Sequence, residues 1–179
     1  MCPTLSSDST APRTKRSAQS LRFEQAVRSP VAGVMPRLAD VDYSTIRDLV
    51  PWIAVIDPDK ATLTLKFTRA GAGIVKLVGR EAVGFDYLDL VDPAIKGDAF
   101  DSCFVMLSRP CGLWQITPAR LADGTTISVE YTGFPVFDDQ RGRGLIIFLI
   151  VHSIPEVGTT PGVGEVRHST EWQFLELRS

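Results

Sequence analysis

The clearest pattern of apolar and polar positions lies in residues 120–151 and predicts consecutive strands of one antiparallel sheet. Asp123 and Gly124 form a strong hairpin signal, because both tolerate the positive φ of a tight primed turn. Residues 127–132 then alternate between apolar and polar, which is the two-residue period of a half-buried strand. After a second polar break, residues 145–151 are all apolar, a run typical of a central strand and too short to span a membrane.

Upstream of this segment the period changes between that of a strand and that of a helix. Leu63, Leu65 and Phe67 alternate with polar residues as in a strand, whereas Phe100 and Leu107 belong to an apolar stripe at helical spacing. The predicted elements are a helix over residues 42–50, strands over 52–57 and 62–67, helices over 70–78, 87–90 and 94–108, and a strand over 111–121. The predicted core order is therefore two strands, three short helices and three strands.

The two ends of the chain differ in composition from residues 34–153, which we expect to form the folded domain. Residues 1–30 are rich in Ser, Thr, Ala and Arg, which predicts a disordered tail. Within this tail, residues 21–28 can form a short helix that caps the domain or pairs with a second copy. Residues 154–179 are predicted to form a Pro- and Gly-rich linker followed by a C-terminal segment apolar enough to pack on the domain.

Two stretches carry a resemblance to a known family. They read RAGAGIVKLVGREAVGFDYLDLVDP and RLADGTTISVEYTGFPVFDD, and in this order and spacing they resemble the PAS domain. The entry into the first strand, Leu-Val-Pro-Trp at residues 49–52, is similar to that of stand-alone PAS-like proteins of the alphaproteobacterial type. The resemblance covers residues 34–153.

The resemblance implies an α+β fold, with a five-stranded antiparallel sheet and short helices on one face that enclose a small pocket. It also implies a bacterial sensory or regulatory module that is not an enzyme. Such a module is expected to form a homodimer, to bind a small apolar or amphipathic ligand or a partner protein, and to signal through dimerisation or partner contact. Fold alone does not fix which ligand is sensed.

The candidate ligand-binding residues are apolar positions on the predicted helices and facing strands. They are Ile74, Leu77, Phe100, Phe104, Leu107, Trp114, Ile116, Tyr131 and Phe148. Trp114 and Tyr131 stand out, because each adds a polar group to an apolar wall. The alternative for every one of them is a purely structural place in the core.

The sequence leaves the cofactor unknown. Cys103 and Cys111 lie in no motif of the flavin photosensor type, and buried cysteine as a small apolar residue is the simpler interpretation. The helix over 94–108 has no histidine to ligate haem, and His152 and His168 follow the predicted strands. A haem-binding sensor with Cys103 as ligand remains an alternative.

Polar residues predict neither a metal site nor a catalytic centre. The three cysteines lack CxxC spacing, and Asp86, Asp89 and Asp92 fit helix capping better than a calcium loop. Glu130 falls on the polar side of its strand, where we expect it to meet solvent or a partner. A small α+β enzyme or carrier with an apolar cavity remains an alternative to the sensor, and it would need a convergent acid–base pair.

Charge and hydropathy limit the possible locations and partners. The formal net charge is −2, which argues against strong affinity for nucleic acid, although the basic N-terminal tail leaves open an adaptor that uses it. The absence of a long apolar run predicts no membrane span, and the N-terminus lacks the apolar core of a signal peptide. The expected location is the cytoplasm.

Overall fold

The computed structural model describes residues 15–27, 29, 31–152 and 162–177, which form an α+β fold built on one antiparallel sheet. The strands are β1 (Ile53–Asp59), β2 (Thr64–Ala70), β3 (Cys111–Leu121), β4 (Thr126–Asp138), β5 (Arg143–His152), β6 (Val163–Val166) and β7 (Glu171–Glu176). Their order is β2-β1-β5-β4-β3, and β6 and β7 both pair with the far edge of β3. The prediction of five strands is therefore two strands short of the sheet found in the described residues.

Helices pack on both faces of this sheet. They are α1 (Ala18–Ala26), α2 (Ala72–Val78), α3 (Lys96–Ser108) and the 3-10 helices Leu38–Asp40, Val50–Trp52, Tyr87–Leu90 and Pro93–Ile95. We call the face that packs against α2, α3 and Tyr87–Leu90 the inner face, and the face that packs against α1 the outer face. Each face has its own apolar core, and the sheet separates the two. Among the described residues, no helix combines the length and apolarity needed to cross a membrane.

The two hairpins predicted from the C-terminal half are confirmed, but Asp123 does not take the positive φ of a primed turn, and residues 122–125 form a four-residue loop. Gly124 adopts φ 88° in the turn between β3 and β4, and Gly142 adopts φ 66° in the turn between β4 and β5. Such positive φ values are costly for residues with a Cβ, which explains the glycines. The register places Tyr131 opposite Gln115 on β3 and opposite Ile150 on β5.

The N-terminal segment differs from the predicted tail. Ser17 caps α1 by accepting a hydrogen bond from the backbone N–H of Ser20 at 3.1 Å, and Phe23 is fully buried against the outer face. Because the Ser17 cap and the burial of Phe23, Ala26 and Val27 stabilise this short helix, the polar composition around them was misleading. The part of the prediction that concerns residues 1–14 lies outside the described residues.

Two further predictions are wrong in detail. Residues 42–50 form no α-helix: Ile46 and Leu49 are buried as expected, but the backbone forms successive turns, in which Ile46 and Leu49 donate i→i+3 hydrogen bonds and Val50 donates an i→i+4 bond to Ile46 O. Pro51 has no N–H to continue a ladder of i→i+4 hydrogen bonds, which leaves too short a segment for a stable α-helix. Leu63 lies in the β1–β2 turn with φ 53° and is two-thirds exposed, so β2 begins at Thr64, two residues later than predicted.

Both edges of the five central strands are covered. On the β2 edge, the backbone N–H of Phe67 donates to Phe85 O at 3.0 Å, and the N–H of Leu65 donates to Asp86 Oδ1 at 2.9 Å. On the β3 edge, β6 and β7 pair with successive halves of the strand. The C-terminal segment thus supplies two strands, where the sequence predicted a linker followed by a segment packed on the domain. The part of that prediction that concerns residues 153–161 lies outside the described residues.

Candidate functional site

A cavity of about 370 Å³ lies between the inner face of the sheet, α3 and the β6–β7 segment. Its floor is formed by the central strands through Leu113, Gln115, Thr117, Tyr131 and Phe148. Its walls come from Tyr87 and Val91, from Ala99, Ser102 and Cys103 on α3, and from Val166, Trp172 and Phe174 at the C-terminal end. We call this cavity the outer chamber. Its volume falls in the range of small-molecule sites.

A second, smaller cavity of about 60 Å³ adjoins it, and we call it the inner chamber. Among the described residues, nine apolar ones line the inner chamber and not the outer one: Phe67, Ile74, Leu77, Val78, Leu90, Ala119, Val129, Ile150 and Val163. Six residues line both chambers and so form the partition between them: Tyr87, Gln115, Thr117, Tyr131, Phe148 and Val166.

Aromatic rings make up the centre of this partition. The ring of Tyr131 stacks on that of Phe148, with centroids 5.1 Å apart and planes 30° apart. Tyr87 meets Phe148 at 6.4 Å and Phe67 at 6.2 Å. Offset and edge contacts of this kind fix ring orientations and add to the burial of their apolar area.

Three neutral polar groups line the cavity without a protein partner. Within the part of the chain that the structure describes, the hydroxyls of Tyr87 and Tyr131 and the side-chain amide of Gln115 make no hydrogen bond. Thr117 differs, because its hydroxyl lies 3.0 Å from that of Ser169. Polar groups in a protein interior normally find partners, so these three are available to a bound molecule.

The electrostatics of the outer chamber keep its interior uncharged. Burial raises the pKa of the Cys103 thiol to about 12. Burial also raises the pKa of Tyr131 well above its usual value, and the nearby Cys103 and Tyr87 raise it further. Burial raises the pKa of Tyr87 as well, so all three groups are protonated near neutral pH. The charged lining residues, Asp98, Asp101, Arg167 and His168, are exposed at the rim.

The structure brings four of the candidate residues to the cavities. Tyr131 and Phe148 belong to the partition, and Ile74 and Leu77 line the inner chamber. All four lie on the inner face because of the strand and helix periods seen in the sequence.

The three candidates on α3 line neither chamber. Cys103 and Met106 are the α3 residues that are buried against the sheet. Phe100, Phe104 and Leu107 are only partly buried at the margin of the inner core. The rings of Phe100 and Phe104 contact each other at 4.8 Å, and Lys60 Nζ lies 4.6 Å above the Phe104 ring.

Trp114 and Ile116 lie on the outer face, opposite to the cavity. The indole N–H of Trp114 donates to Glu130 Oε1 at 2.6 Å, and the backbone N–H of Ser17 donates to the same oxygen at 3.0 Å. Glu130 is therefore a buried anchor for α1, and the expectation that it meets solvent or a partner is wrong, because its carboxylate contacts Trp114 and Ser17 of the same chain. The odd-numbered residues of β3 face the cavity instead, which is why Gln115 was missed.

Other cavity residues were also missed in the sequence. Tyr87 lies on a short 3-10 helix, where no periodicity in the sequence indicates which side chains point to the sheet. Trp172 and Phe174 could have been found, because their alternation in β7 is a usable signal for an inward strand face. Cys103 is buried at the cavity wall, in agreement with a small apolar role.

The two histidines occupy different places. His152 ends β5 and contacts the edge of the Trp52 ring at 4.2 Å between centroids, away from both chambers. Burial lowers its pKa. His168 lies at the rim of the outer chamber. In the described ranges, no group of three or more His, Cys, Asp or Glu side chains is placed to hold a metal ion.

The fold and cavity define a class of protein, an antiparallel α+β domain with an internal small-molecule-sized cavity. Neither a family model nor a curated protein matches the sequence. Similar solved structures include the VqmA dimer of Vibrio cholerae in the absence of its target DNA, with 19% identity over 64% of this chain and a TM-score of 0.47. VqmA bound to DPO has 18% identity over 62% of this chain and the same TM-score.

The chain spans about half the length of these solved chains, namely 53% of the first and 56% of the second. A likeness at this identity and TM-score carries no inference about activity or partners.

Proposed function

We propose that this protein is a sensory or regulatory module of PAS type that binds a small, uncharged, apolar or amphipathic molecule in the outer chamber. The observation that carries the proposal is the set of three neutral polar groups, on Tyr87, Tyr131 and Gln115, which line the cavity beside its apolar rings and have no hydrogen-bond partner among the described residues. An uncharged ligand that both donates and accepts hydrogen bonds satisfies them and buries its apolar part against the rings.

The order of elements supports the PAS assignment. Two strands, short helices and three antiparallel strands follow one another as the sequence resemblance implies, with a cavity between the sheet and the helices. The module then acts as a homodimer or through a partner protein, and occupancy of the cavity sets its state.

The cavity lining supports binding over catalysis. Its inner titratable groups, Cys103, Tyr87 and Tyr131, have raised pKa values and hold their protons near neutral pH, so none is poised as a general base. A protonated thiol is also a poor haem ligand. The haem-binding alternative is thus less well supported than an organic ligand.

Native mass spectrometry of the protein as purified, together with its absorption spectrum, tests the proposal. We expect a dimer mass with additional mass from an uncoloured small molecule, or a protein that binds 4-methylphenol, a neutral probe with one hydroxyl and one ring. Visible absorption from haem or flavin would overturn the assignment of an uncharged ligand. A protein without bound mass that also fails to bind the probe would overturn ligand sensing in this cavity.

Two alanine-to-leucine variants provide a matched test of the binding site. Ala99→Leu places three carbons into the outer chamber from α3, so we expect at least a tenfold loss of probe affinity. Ala94→Leu makes the same change at an exposed position five residues earlier, and its affinity should equal that of the wild type. Equal losses in both variants, measured by calorimetry, would place binding elsewhere.

Gly133 provides the room that the Tyr131 phenol occupies. A Cβ at this position would lie 2.5 Å from the Tyr131 hydroxyl oxygen and 2.8 Å from two ring carbons. Gly133→Ala should therefore turn the ring away, weaken 4-methylphenol binding about tenfold and lower the free energy of unfolding by about 1–2 kcal/mol. Gly164→Ala is the control, since its nearest contact would be an ordinary 3.6 Å. Unchanged affinity in Gly133→Ala would show that the Tyr131 position does not matter for binding.

A further inference from the structure

The inner chamber is a separate binding space with its own chemistry. The nine residues that line it alone carry no polar side-chain atom, whereas the polar groups belong to the partition and the outer chamber. A chamber lined in this way holds apolar groups rather than ordered water, because a buried water needs two or more polar partners.

We propose that the inner chamber is a subsite for a short alkyl branch of the ligand, whose uncharged polar head occupies the outer chamber. This inference rests on the proposed function of the outer chamber and specifies the ligand class: a flat, neutral head with one hydrogen-bonding group and an unbranched tail. By size, about 60 Å³ of accessible space takes about four water-sized groups, which corresponds to a tail of about three to four carbons.

The partition explains how one ligand reaches both chambers. Tyr87 is its only member on a 3-10 helix rather than a strand, among the residues that the structure describes, and it is partly exposed. Its ring meets Phe67 edge-on and Phe148 at a tilt of 53°, without the stacking seen for Tyr131. Rotation of the Tyr87 side chain is therefore the smallest rearrangement that joins the chambers. It leaves in place the residues of β3, β4 and β5 that form the floor of the outer chamber.

The proposal predicts how binding affinity depends on the length of the alkyl tail. A series of 4-alkylphenols from methyl to hexyl keeps the head constant and changes only the tail. Each added methylene should strengthen binding about fourfold while the tail fills the inner chamber, because burial of one methylene is worth about that factor. Affinity should peak at about three to four carbons and then fall, since the space of about 60 Å³ is then filled and a longer tail must displace packed lining residues.

Variants at two alanines distinguish binding in the inner chamber from binding in the outer chamber. Ala119 lines the inner chamber alone and Ala99 the outer chamber alone. Ala119→Leu should leave the affinity for 4-methylphenol within about twofold of wild type and abolish the gain with tail length. Ala99→Leu should weaken every homologue by a similar factor. Should Ala119→Leu fail to fold, Val163→Ile fills less of the same chamber and should shorten the optimal tail by about one carbon.

Calorimetric titration of the series distinguishes this inference from the proposed function. Binding of 4-methylphenol without any dependence on tail length, or a tail dependence that survives Ala119→Leu, overturns the alkyl subsite and leaves the outer-chamber function in place. Failure of every homologue to bind overturns the function and the subsite together. A peak near three to four carbons that Ala119→Leu removes supports the subsite.

Discussion

Replacement of Gly71 by Ala is expected to lower the free energy of unfolding by about 3 kcal/mol or more. Gly71 caps α2, and its N–H donates to Ile53 O at 2.9 Å. A Cβ there would collide with the carbonyl oxygens of Val50 and Pro51 and lie 2.6 Å from the Pro51 carbonyl carbon. Backbone atoms cannot give way as a flexible side chain does, so α2 or the Val50–Trp52 helix must shift.

Chemical denaturation with Gly97→Ala as the matched control measures this effect. Gly97 lies in the first turn of α3, and a Cβ there would meet open space. Since alanine is the better helix former, Gly97→Ala should raise stability by several tenths of a kcal/mol. If Gly71→Ala proved as stable as the wild type, the close approach of α2 to residues 50–51 would be wrong. Because Ile74 and Leu77 lie on α2, a surviving Gly71→Ala protein should also lose the preference for alkyl tails.

Glu130→Ala is expected to destabilise the protein by about 2–4 kcal/mol and to release α1 from the sheet. The change removes the acceptor of two hydrogen bonds, from Trp114 Nε1 and from the Ser17 N–H, and leaves a buried indole N–H unpaired. The Glu130 carboxylate also lies at the positive end of the α1 dipole, where a negative charge is favourable. Hydrogen exchange of the α1 amides should accelerate more than that of β4 or β5.

Glu130→Gln is the control for this prediction, because the amide oxygen keeps both hydrogen bonds and loses only the charge. We expect a cost of about 1 kcal/mol or less and nearly normal protection of α1. Equal α1 exchange in wild type and Glu130→Ala would show that Phe23 and its apolar contacts hold the helix without the Glu130 anchor.

The elements that follow one strong local signal could be predicted from the sequence. The Asp123-Gly124 turn, the alternation through Tyr131 and the helix ended by Gly79 all lie where the pattern places them. In each case the backbone preference and the apolar period agree, so tertiary packing had nothing to override.

The direction of β3 could not be predicted, and two of the nine candidate residues, Trp114 and Ile116, were misplaced with it. Trp114 and Ile116 alternate as an inward strand face should, but both faces of this sheet are covered. Because α1 buries the outer face, Trp114, Glu130 and Thr132 are buried there, and burial no longer distinguishes the two sides. The helix that causes this lies more than 80 residues before β3, beyond the reach of any local pattern.

The covered edges of the sheet bear on how copies of this protein meet. Exposed strand edges invite pairing with the strands of other molecules and lead to aggregation. Here the 84–86 segment occupies the β2 edge, and the outermost strand on the other side is split into two short pieces, β6 and β7. We therefore expect the folded protein to remain in solution at high concentration without seeding fibrils, and any specific association to use side chains rather than shared backbone hydrogen bonds.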